Sequence, residues 1–382
     1  KQVLDRLERQ WLLNPDPHLV MVLLSDLADA LAPTAPGDAE VERRLVEGIR
    51  RLNKANGPDA PFVLLHRNRR FNARDSLWMG WERKRGKLAD LNRLLREGEH
   101  DGFSLIVGAT AALTGVKYVI TLDTDTQLPR DAARQFVGTM AHPLNRPVYD
   151  AALQRVRAGY GILQPRVSVS LPGTNRSRYA RLLGGEPGID PYTGAVSDVY
   201  QDAFQEGSFI GKGIYDVDAF EQALKGRFPE NRILSHDLLE GCYARAGLLS
   251  DVQLYEEYPS RYDADVNRRH RWIRGDWQLA GWLLPRVPGP DGLRLKNPLS
   301  ALSRWKLFDN LRRSLAPAAL TSLLVLGWTV FSSAGFWTLA VLGILLIPTV
   351  LASLLEVLRK PGDMRPGQHL ASAARAAGRR FN

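Results

Sequence analysis

The chain has 382 residues, of which 45% are hydrophobic and 24% charged, a composition typical of a folded protein and not of a disordered one. The single cysteine, Cys242, excludes an internal disulfide and argues against a structural zinc site. The formal net charge of +10 predicts a partner or surface that accepts positive charge, such as nucleic acid, anionic lipid or a phosphorylated substrate.

Strand-like and helix-like stretches alternate over the first three hundred residues, which predicts a largely parallel, three-layer α/β sheet. The chain opens on a helical pattern without a start Met or a signal peptide, and we expect it to be a piece of a longer protein. Strands are predicted at residues 19–24, 61–66, 116–122, 161–165 and 209–215, and helices at 81–97, at 216–224 and from Asp237 onward. The Pro- and Gly-rich stretch 285–298 is predicted to be a connector.

Two carboxylates, Asp123 and Asp125, follow the apolar, β-branched run at residues 118–122. A strand that ends there would place them at the carboxyl edge of the sheet, where open α/β sheets bind ligands. Strand alternation would send both to the same side, close enough to share a divalent cation. Asp pairs also cap helices and close turns, and this reading stays open.

Asp237 is predicted either to cap the helix that it opens or to act as a general base that accepts a proton from an attacking hydroxyl. Ser235-His-Asp237 is not a hydrolase triad, since adjacent residues cannot form that relay. Gly211-Lys-Gly213 lacks the third glycine of a dinucleotide fingerprint, and no P-loop is present.

Arginines and aromatic residues alternate between Arg261 and Trp277. This pattern suits a solvated basic helix, contact with lipid, nucleic acid binding or diphosphate binding. A membrane segment follows and no nucleic-acid module is recognised, so we favour a small diphosphate and expect no nucleic acid partner.

Residues 314–355 form a run of 42 uncharged residues, long enough for two membrane helices. Basic residues flank both ends, which predicts a hairpin with both ends in the cytoplasm. A buried helical hairpin in a soluble core is the alternative. Before this run, Leu299, Trp305 and Leu311 belong to an apolar stripe that would lie in the headgroup plane or pack on the globular domain. We therefore divide the chain into a globular domain (1–298), an amphipathic helix (299–315), two transmembrane helices (316–358) and a basic cytoplasmic segment (359–382).

Taken together, the motifs resemble those of processive, cellulose synthase-like (family 2-like) glycosyltransferases, which carry Asp, Asp-x-Asp, Thr-Glu-Asp and Gln-x-x-Arg-Trp in this order. The corresponding residues here are Asp26, Asp123-x-Asp125, Ser235-His-Asp237 and Arg268-x-x-Arg271-Trp272. In addition, Lys84-x-Gly86-x-Leu88 resembles the Lys-Ala-Gly-x-Leu motif of these enzymes, and Gln164-Pro165 and Glu206-Gly-Ser208 lie where they carry acceptor-side elements. His236 replaces the usual Glu and Arg268 the usual Gln. With these replacements the chain is most similar to the glycosyltransferase domain of cyclic β-1,2-glucan synthases of Gram-negative bacteria (family 84).

The resemblance implies a GT-A (Rossmann-like, three-layer) fold followed by a transmembrane helical hairpin, with the first strand of the fold missing upstream. It also implies Mg²⁺ or Mn²⁺ as cofactor and inverting transfer from UDP-glucose to a growing β-1,2-glucan, assembled on the protein itself in such enzymes. The location implied is the bacterial inner membrane, in contact with lipid, with the catalytic domain in the cytoplasm and joined to the rest of a longer polypeptide.

Carried over residue by residue, the family pattern assigns each motif a role. The implied catalytic base is Asp237; the donor is bound by Asp26, Lys84, Asp123, Asp125, Arg268, Arg271 and Trp272; the metal by Asp123 and Asp125; and the acceptor by Gln164, Gly207, Ser208 and Trp272. Tyr192, Tyr200 and Tyr215 remain alternative carriers of a protein-linked glucan.

Two alternative functions are also consistent with the sequence. One is a family 2-like polysaccharide synthase of another linkage. The other is a non-catalytic domain that binds a nucleotide-sugar and regulates a neighbour.

Overall fold

The computed structural model of the protein is mixed α/β, with long helices at its carboxyl end. The structure describes residues 2–57, 60–183, 198–233, 235–360 and 364–380. The strands are β1 (Met21–Asp26), β2 (Phe62–Arg67), β3 (Arg70–Asn72), β4 (Leu77–Met79), β5 (Leu105–Val107), β6 (Tyr118–Thr121), β7 (Val148–Asp150), β8 (Arg155–Ala158), β9 (Ile162–Val169), β10 (Gly213–Asp216), β11 (Ala246–Glu256), β12 (Arg286–Pro288) and β13 (Arg294–Lys296). The helices are α1 (Gln2–Leu13), α2 (Asp38–Asn56), α3 (Arg83–Glu97), α4 (Ala132–Ala141), α5 (Leu171–Thr174), α6 (Arg178–Leu183), α7 (Val199–Phe204), α8 (Val217–Leu224), α9 (Asp237–Ala244), α10 (Tyr262–Gln278), α11 (Ala301–Thr329), α12 (Ala334–Leu358) and α13 (Pro366–Arg380).

The larger strands form two sheets, in the orders β1-β2-β5 and β11-β9-β10-β6. Within the described residues only β1–β2 and β9–β11 pair in parallel, while β10 runs antiparallel between β9 and β6. The prediction of a largely parallel sheet is therefore wrong. Hydrophobic periodicity indicates that a strand exists, but its direction depends on how the connecting loops return the chain.

Most of the predicted elements are confirmed, with their ends shifted by a few residues. The 11-residue strand β11, which pairs with β9 at the edge of the larger sheet, is not predicted from the sequence. The predicted connector at 285–298 instead contains the β12–β13 hairpin, in which Val287 pairs with Leu295. Short strands of this kind lack the length over which alternation can be recognised.

The hydrophobic core joins the sheets to the helices that cover them. Its buried side chains include Leu65 of β2, Tyr215 of β10, Leu239 of α9 and Leu307 of α11. The first part of α11 therefore belongs to the globular domain, which supports the packing alternative for the apolar stripe. Outward-facing members of that stripe, such as Trp305, remain about half exposed and are free to contact lipid.

The carboxyl-terminal helices differ from the predicted division of the chain. No break separates an amphipathic helix from a first span, because α11 runs without interruption from Ala301 to Thr329. The part of α11 after Arg313 is about 24 Å long at 1.5 Å per residue, shorter than the ~30 Å hydrocarbon layer. Among the described helices, α12 is the candidate span, since its 22 residues Ala334–Leu355 are apolar and almost entirely exposed.

The first turns of α12 pack closely on the end of α11. A Cβ on Gly327 would lie 2.5 Å from the Cβ of Trp337, and Trp328 Nε1 donates a 2.9 Å hydrogen bond to Thr338 Oγ1. Only a glycine at 327 permits this approach.

We predict that Gly327→Ala separates α12 from α11 and lowers the melting temperature of the protein in detergent. Gly335→Ala is the matched control, because a Cβ there meets no atom within 4 Å. Both changes favour the helix intrinsically by about 1 kcal/mol, so the control should be neutral or stabilising. Equal melting temperatures for the two variants would contradict the close contact.

Candidate functional site

The two carboxylates that follow β6 lie in a turn and not in the strand. β6 ends at Thr121, and the turn is closed by a 3.0 Å hydrogen bond from the Thr126 N–H to the Asp123 C=O. The expectation that strand alternation aligns Asp123 with Asp125 is therefore wrong. The turn still lies at the carboxyl end of β6, as predicted.

Two lysines hold the carboxylate of Asp123. Lys84 Nζ, on the first turns of α3, lies 2.6 Å from Asp123 Oδ1, and Lys212 Nζ lies 3.2 Å from Oδ2. Burial alone would raise the pKa of Asp123, but the two ammonium groups lower it to about 2. The carboxylate is therefore ionised at neutral pH and fixed in position. Lys212 also pairs with Glu256 at the end of β11.

Gly211 connects this cluster to Asp237. Its carbonyl accepts a second hydrogen bond from Lys84 Nζ at 2.6 Å. Its φ of +87° is in the left-handed region, and a Cβ would lie 2.5 Å from Asp237 Oδ1. Glycine thus lets the backbone approach the carboxylate closely. Lys84 and Asp237, which are far apart in the sequence, both contact this residue, and Lys84 connects it to Asp123.

Asp237 is the first residue of α9, but within the described residues no backbone N–H donates to its carboxylate, so the capping alternative is not supported. Its Oδ1 is buried without a hydrogen-bond partner, while the side chain as a whole is 25% exposed. One carboxylate oxygen therefore faces inward and the other is left for solvent or a ligand.

His236 and Glu240 lie behind Asp237. His236 Nδ1 is 3.0 Å from Glu240 Oε1 and 3.5 Å from Asp237 Oδ1. Burial lowers the pKa of His236, but the two carboxylates outweigh it and the pKa is raised above 6.5. The three groups are close enough to share a cation. The raised pKa favours an imidazolium that pairs with the two carboxylates.

Asp26 ends β1 and opens onto a cleft of about 390 Å³. Arg67 grips its carboxylate with two N–H groups, at 2.8 and 3.2 Å, and the buried guanidinium also binds Asp90 at 2.7 Å. Lys87 Nζ lies 3.3 Å from the same carboxylate. The cleft is lined by Asp26, Leu27, Ala28, Asp29, Gly80, Arg83, Lys84 and Lys87. Since Lys84 also binds Asp123, the cleft adjoins the Asp123 cluster.

The Arg-Trp motif lies on α10, which packs against the segment before Asp237. A Cβ on Gly275 would lie 2.4 Å from the Ser235 Cβ, and positions 271 and 272 share that side of the helix. Arg268 pairs with Asp265 at 2.8 Å and stacks 4.7 Å from the Trp272 ring. Arg271 is exposed. The structure therefore brings the motif near Asp237, with Arg268 already engaged by a carboxylate.

The predicted acceptor residues surround the loop that leads to Gly211. The Gln164 side chain is fully buried and binds backbone, accepting from Ile210 N–H at 2.9 Å and donating to Pro165 C=O at 2.8 Å. Gly207 N–H donates to Ala246 C=O at 2.8 Å, and Ser208 is buried. Gln164 thus supports the loop. Direct acceptor binding by these residues stays a prediction.

The proposed glucan carriers are not equally placed. Tyr200 and Tyr215 are buried, and Tyr215 donates its hydroxyl proton to Asn92 Oδ1 at 2.8 Å. Neither is positioned to carry a polymer in this structure. Tyr192 lies outside the described residues.

The carboxylate oxygens of Asp123 and Asp125 are ligands of the type that a hard divalent cation prefers, and their binding of one shared ion stays a prediction. Each Asp123 oxygen has a second lone pair beyond its lysine contact, and among the described residues no side chain donates to the half-buried Asp125 carboxylate. Oxygen ligands of this kind suit Mg²⁺ or Mn²⁺.

Several residues of the cluster were not predicted from the sequence. In the sequence, Lys212 belongs only to an incomplete dinucleotide-binding motif, and no motif includes Arg67, Glu240 or Glu256. Glu240 had one local signal, since it lies one helical turn after His236 and Asp237. The partners of Lys212 and Arg67 come from other strands, and only the tertiary fold brings them together.

Comparison with known proteins gives a clear relative. The chain is 46% identical over 374 residues to the cyclic beta-(1,2)-glucan synthase NdvB of Rhizobium meliloti (strain 1021), and the match covers 97% of this chain. It spans 13% of the length of that relative. No protein-family model matches the chain.

The raised pKa of His236 predicts a pH-dependent stability. The imidazolium contributes fully below pH 6.5, the ordinary value, and its contribution is lost as the pH rises through the higher folded-state pKa. His236→Gln should therefore lower the melting temperature more at pH 6 than at pH 9. The exposed His100 provides the control, His100→Gln, with no such difference. A pH-independent effect of His236→Gln would exclude an imidazolium at this position.

Proposed function

The chain belongs to a cyclic β-glucan synthase-related family, and we propose that it is a membrane-anchored, inverting glucosyltransferase of GT-A type that elongates a β-1,2-glucan from UDP-glucose. The observation that carries the proposal is the contact of Lys84 and Asp237 with Gly211, with Asp123 bound to Lys84, beside the cleft that holds Asp26. Anion-binding groups and a partly open carboxylate are thereby adjacent, as glycosyl transfer from a sugar diphosphate requires.

The donor would lie in the cleft, with its uridine toward Asp26 and its diphosphate toward the cationic wall. Lys84 and Lys87 carry the charge that offsets the diphosphate, and Arg67 holds the Asp26 carboxylate in position. Arg271 and Trp272 would approach from α10, the guanidinium binding a phosphate and the indole stacking on a sugar. Arg268 would support Trp272 through its stacking contact.

Asp123 and Asp125 would hold Mg²⁺ or Mn²⁺. When bound, such a cation offsets the negative charge that develops on the UDP leaving group. Lys84 contributes to the same task, because its ammonium lies against Asp123.

Asp237 would act as the general base. Its outward carboxylate oxygen takes the proton of a glucan C2 hydroxyl, and the hydroxyl oxygen attacks glucose C1 from the face opposite to UDP. The new C1–O bond forms as the bond to the UDP oxygen breaks, so the anomeric configuration inverts. His236, which pairs with Glu240, lies 3.5 Å from the inward oxygen of Asp237. The acceptor sugar would rest near Gly207, Ser208 and Trp272.

The membrane anchor would be α12 together with the end of α11. Basic residues such as Arg313 and Arg359 flank the apolar helices, and this supports a cytoplasmic catalytic domain by the positive-inside rule. The glucan and UDP-glucose would then meet at the inner face of the bacterial inner membrane.

We predict that Asp237→Asn in the full-length protein lowers incorporation of labelled glucose from UDP-glucose by about 10²–10⁴-fold, because an amide cannot accept the proton. Asp251→Asn, at an exposed position on β11, is the control and should leave incorporation unchanged. Linkage analysis of the wild-type product should give β-1,2-linked glucose. Residual incorporation above about 10% of wild type would show that Asp237 is not the general base. A product with another linkage would show that the glucan is not β-1,2-linked.

Gly211→Ala should impair transfer through Asp237. The added Cβ would collide with Oδ1 and displace the base, and a displacement of about 1 Å can cost ~10²-fold in rate. Gly226→Ala is the matched control, since Gly226 also has a positive φ (+69°) but has no atom within 4 Å of a Cβ. Both variants should lose similar stability, about 1 kcal/mol, while only Gly211→Ala loses turnover. Equal turnover in the two would contradict the contact.

A further inference from the structure

The helix that leads into the membrane also holds the loop beside the proposed acceptor site. We define the acceptor-side loop as residues 205–208, which connect α7 to the segment ending at Gly211. α11 reaches this loop through Lys306, whose side chain is 4% exposed. A buried ammonium is costly unless polar groups surround it, so its contacts show what the residue stabilises.

The Lys306 ammonium binds the acceptor-side loop through two backbone carbonyls and a carboxylate. Its Nζ donates to Gly207 C=O at 2.8 Å and to Glu206 C=O at 3.1 Å, and it lies 3.9 Å from Glu206 Oε2. It also lies 5.4 Å from the ring centroid of Tyr200, on the helix before the loop. The neighbouring Trp305 Nε1 donates to Tyr200 Oη at 3.2 Å. One short segment of α11 therefore binds both the loop and the helix that precedes it.

The same face of α11 packs against the helix that carries the proposed base. Cys242 Sγ of α9 lies 4.0 Å from Ser303 C=O, one turn before Lys306. A Cβ on Gly241 would lie 2.9 Å from the Phe209 Cβ, so α9 contacts the chain just beyond the loop as well. α11 thus fixes the loop and Asp237 relative to each other.

We propose that Lys306 is a positioning residue for the acceptor: it holds the acceptor-side loop on α11 so that the acceptor hydroxyl stays in register with Asp237. This inference rests on the proposed function, and it adds a residue outside the family motifs. Since α11 continues unbroken to Thr329, the position of the acceptor site is tied to the membrane helix. The donor cleft, lined by β1 and α3 residues, is not held in this way.

The test compares donor and acceptor kinetics in the full-length protein in detergent. The acceptor KM is obtained from initial rates at increasing concentrations of a linear β-1,2-linked gluco-oligosaccharide with saturating UDP-glucose. The UDP-glucose KM is obtained from initial rates at increasing UDP-glucose with a fixed oligosaccharide concentration. Lys306→Met keeps the aliphatic stem and removes the ammonium. It should raise the acceptor KM by about tenfold or more, as expected for loss of charged hydrogen bonds, and change the UDP-glucose KM less than about twofold. Arg304→Met, exposed on the same helix, should change neither.

Three outcomes separate the possibilities. If wild type elongates the oligosaccharide and Lys306→Met matches Arg304→Met, the positioning role is wrong while the proposed function stands. Equal increases in the acceptor KM and the UDP-glucose KM would also contradict the positioning role, since they indicate that the substitution disturbs the whole site. If wild type does not use UDP-glucose at all, the proposed function itself fails. Should Lys306→Met not fold, Lys306→Gln, which keeps N–H donors on a shorter stem, is measured with the same criteria.

Discussion

The ammonium of Lys84 organises the functional region of this protein. It bridges the Asp123 carboxylate and the Gly211 carbonyl, both at 2.6 Å, and so connects α3, the turn after β6 and the segment before β10. Gly211 in turn lies against Asp237 at the start of α9. One cation thereby joins four chain segments that are distant in sequence. Without it, the Asp123 carboxylate would lose one of its two ammonium partners, and its position relative to Asp237 would not be fixed.

Charge compensation follows a common pattern around this junction. Three carboxylates near it have a cationic partner: Asp123 has Lys84 and Lys212, Asp26 has Arg67, and Glu240 has His236. The two that remain open are Asp125 and the outward side of Asp237. These are the positions proposed to bind the metal and to take the proton. Paired carboxylates are held in place by their partners, while the open ones are available for chemistry.

The sequence predicted the carboxylates better than the groups that hold them. Asp26 at the end of β1, Asp123 after β6 and Asp237 on the first turn of α9 were each placed by a local pattern. Lys212, Arg67 and Lys306 were not, because their partners lie on segments that only the tertiary fold brings together. The antiparallel direction of β10 was hidden for the same reason.

Helical periodicity also could not separate the end of the globular domain from the start of the membrane region. The amphipathic stretch and the apolar stretch share one period, so they join into the single helix α11, which tolerates Pro317. That continuity links the core, the acceptor-side loop and the apolar carboxyl-terminal helices. The burial of Leu307 in the core shows that the first part of α11 belongs to the globular domain.

The most direct test of the account is an experimental structure of the full-length protein with UDP bound. We predict that the diphosphate lies in the cleft beside Asp26, within hydrogen-bond distance of Lys84 Nζ, with Asp237 on the acceptor side, opposite to the leaving group. UDP bound elsewhere, with Lys84 and Asp237 in separate cavities, would contradict it.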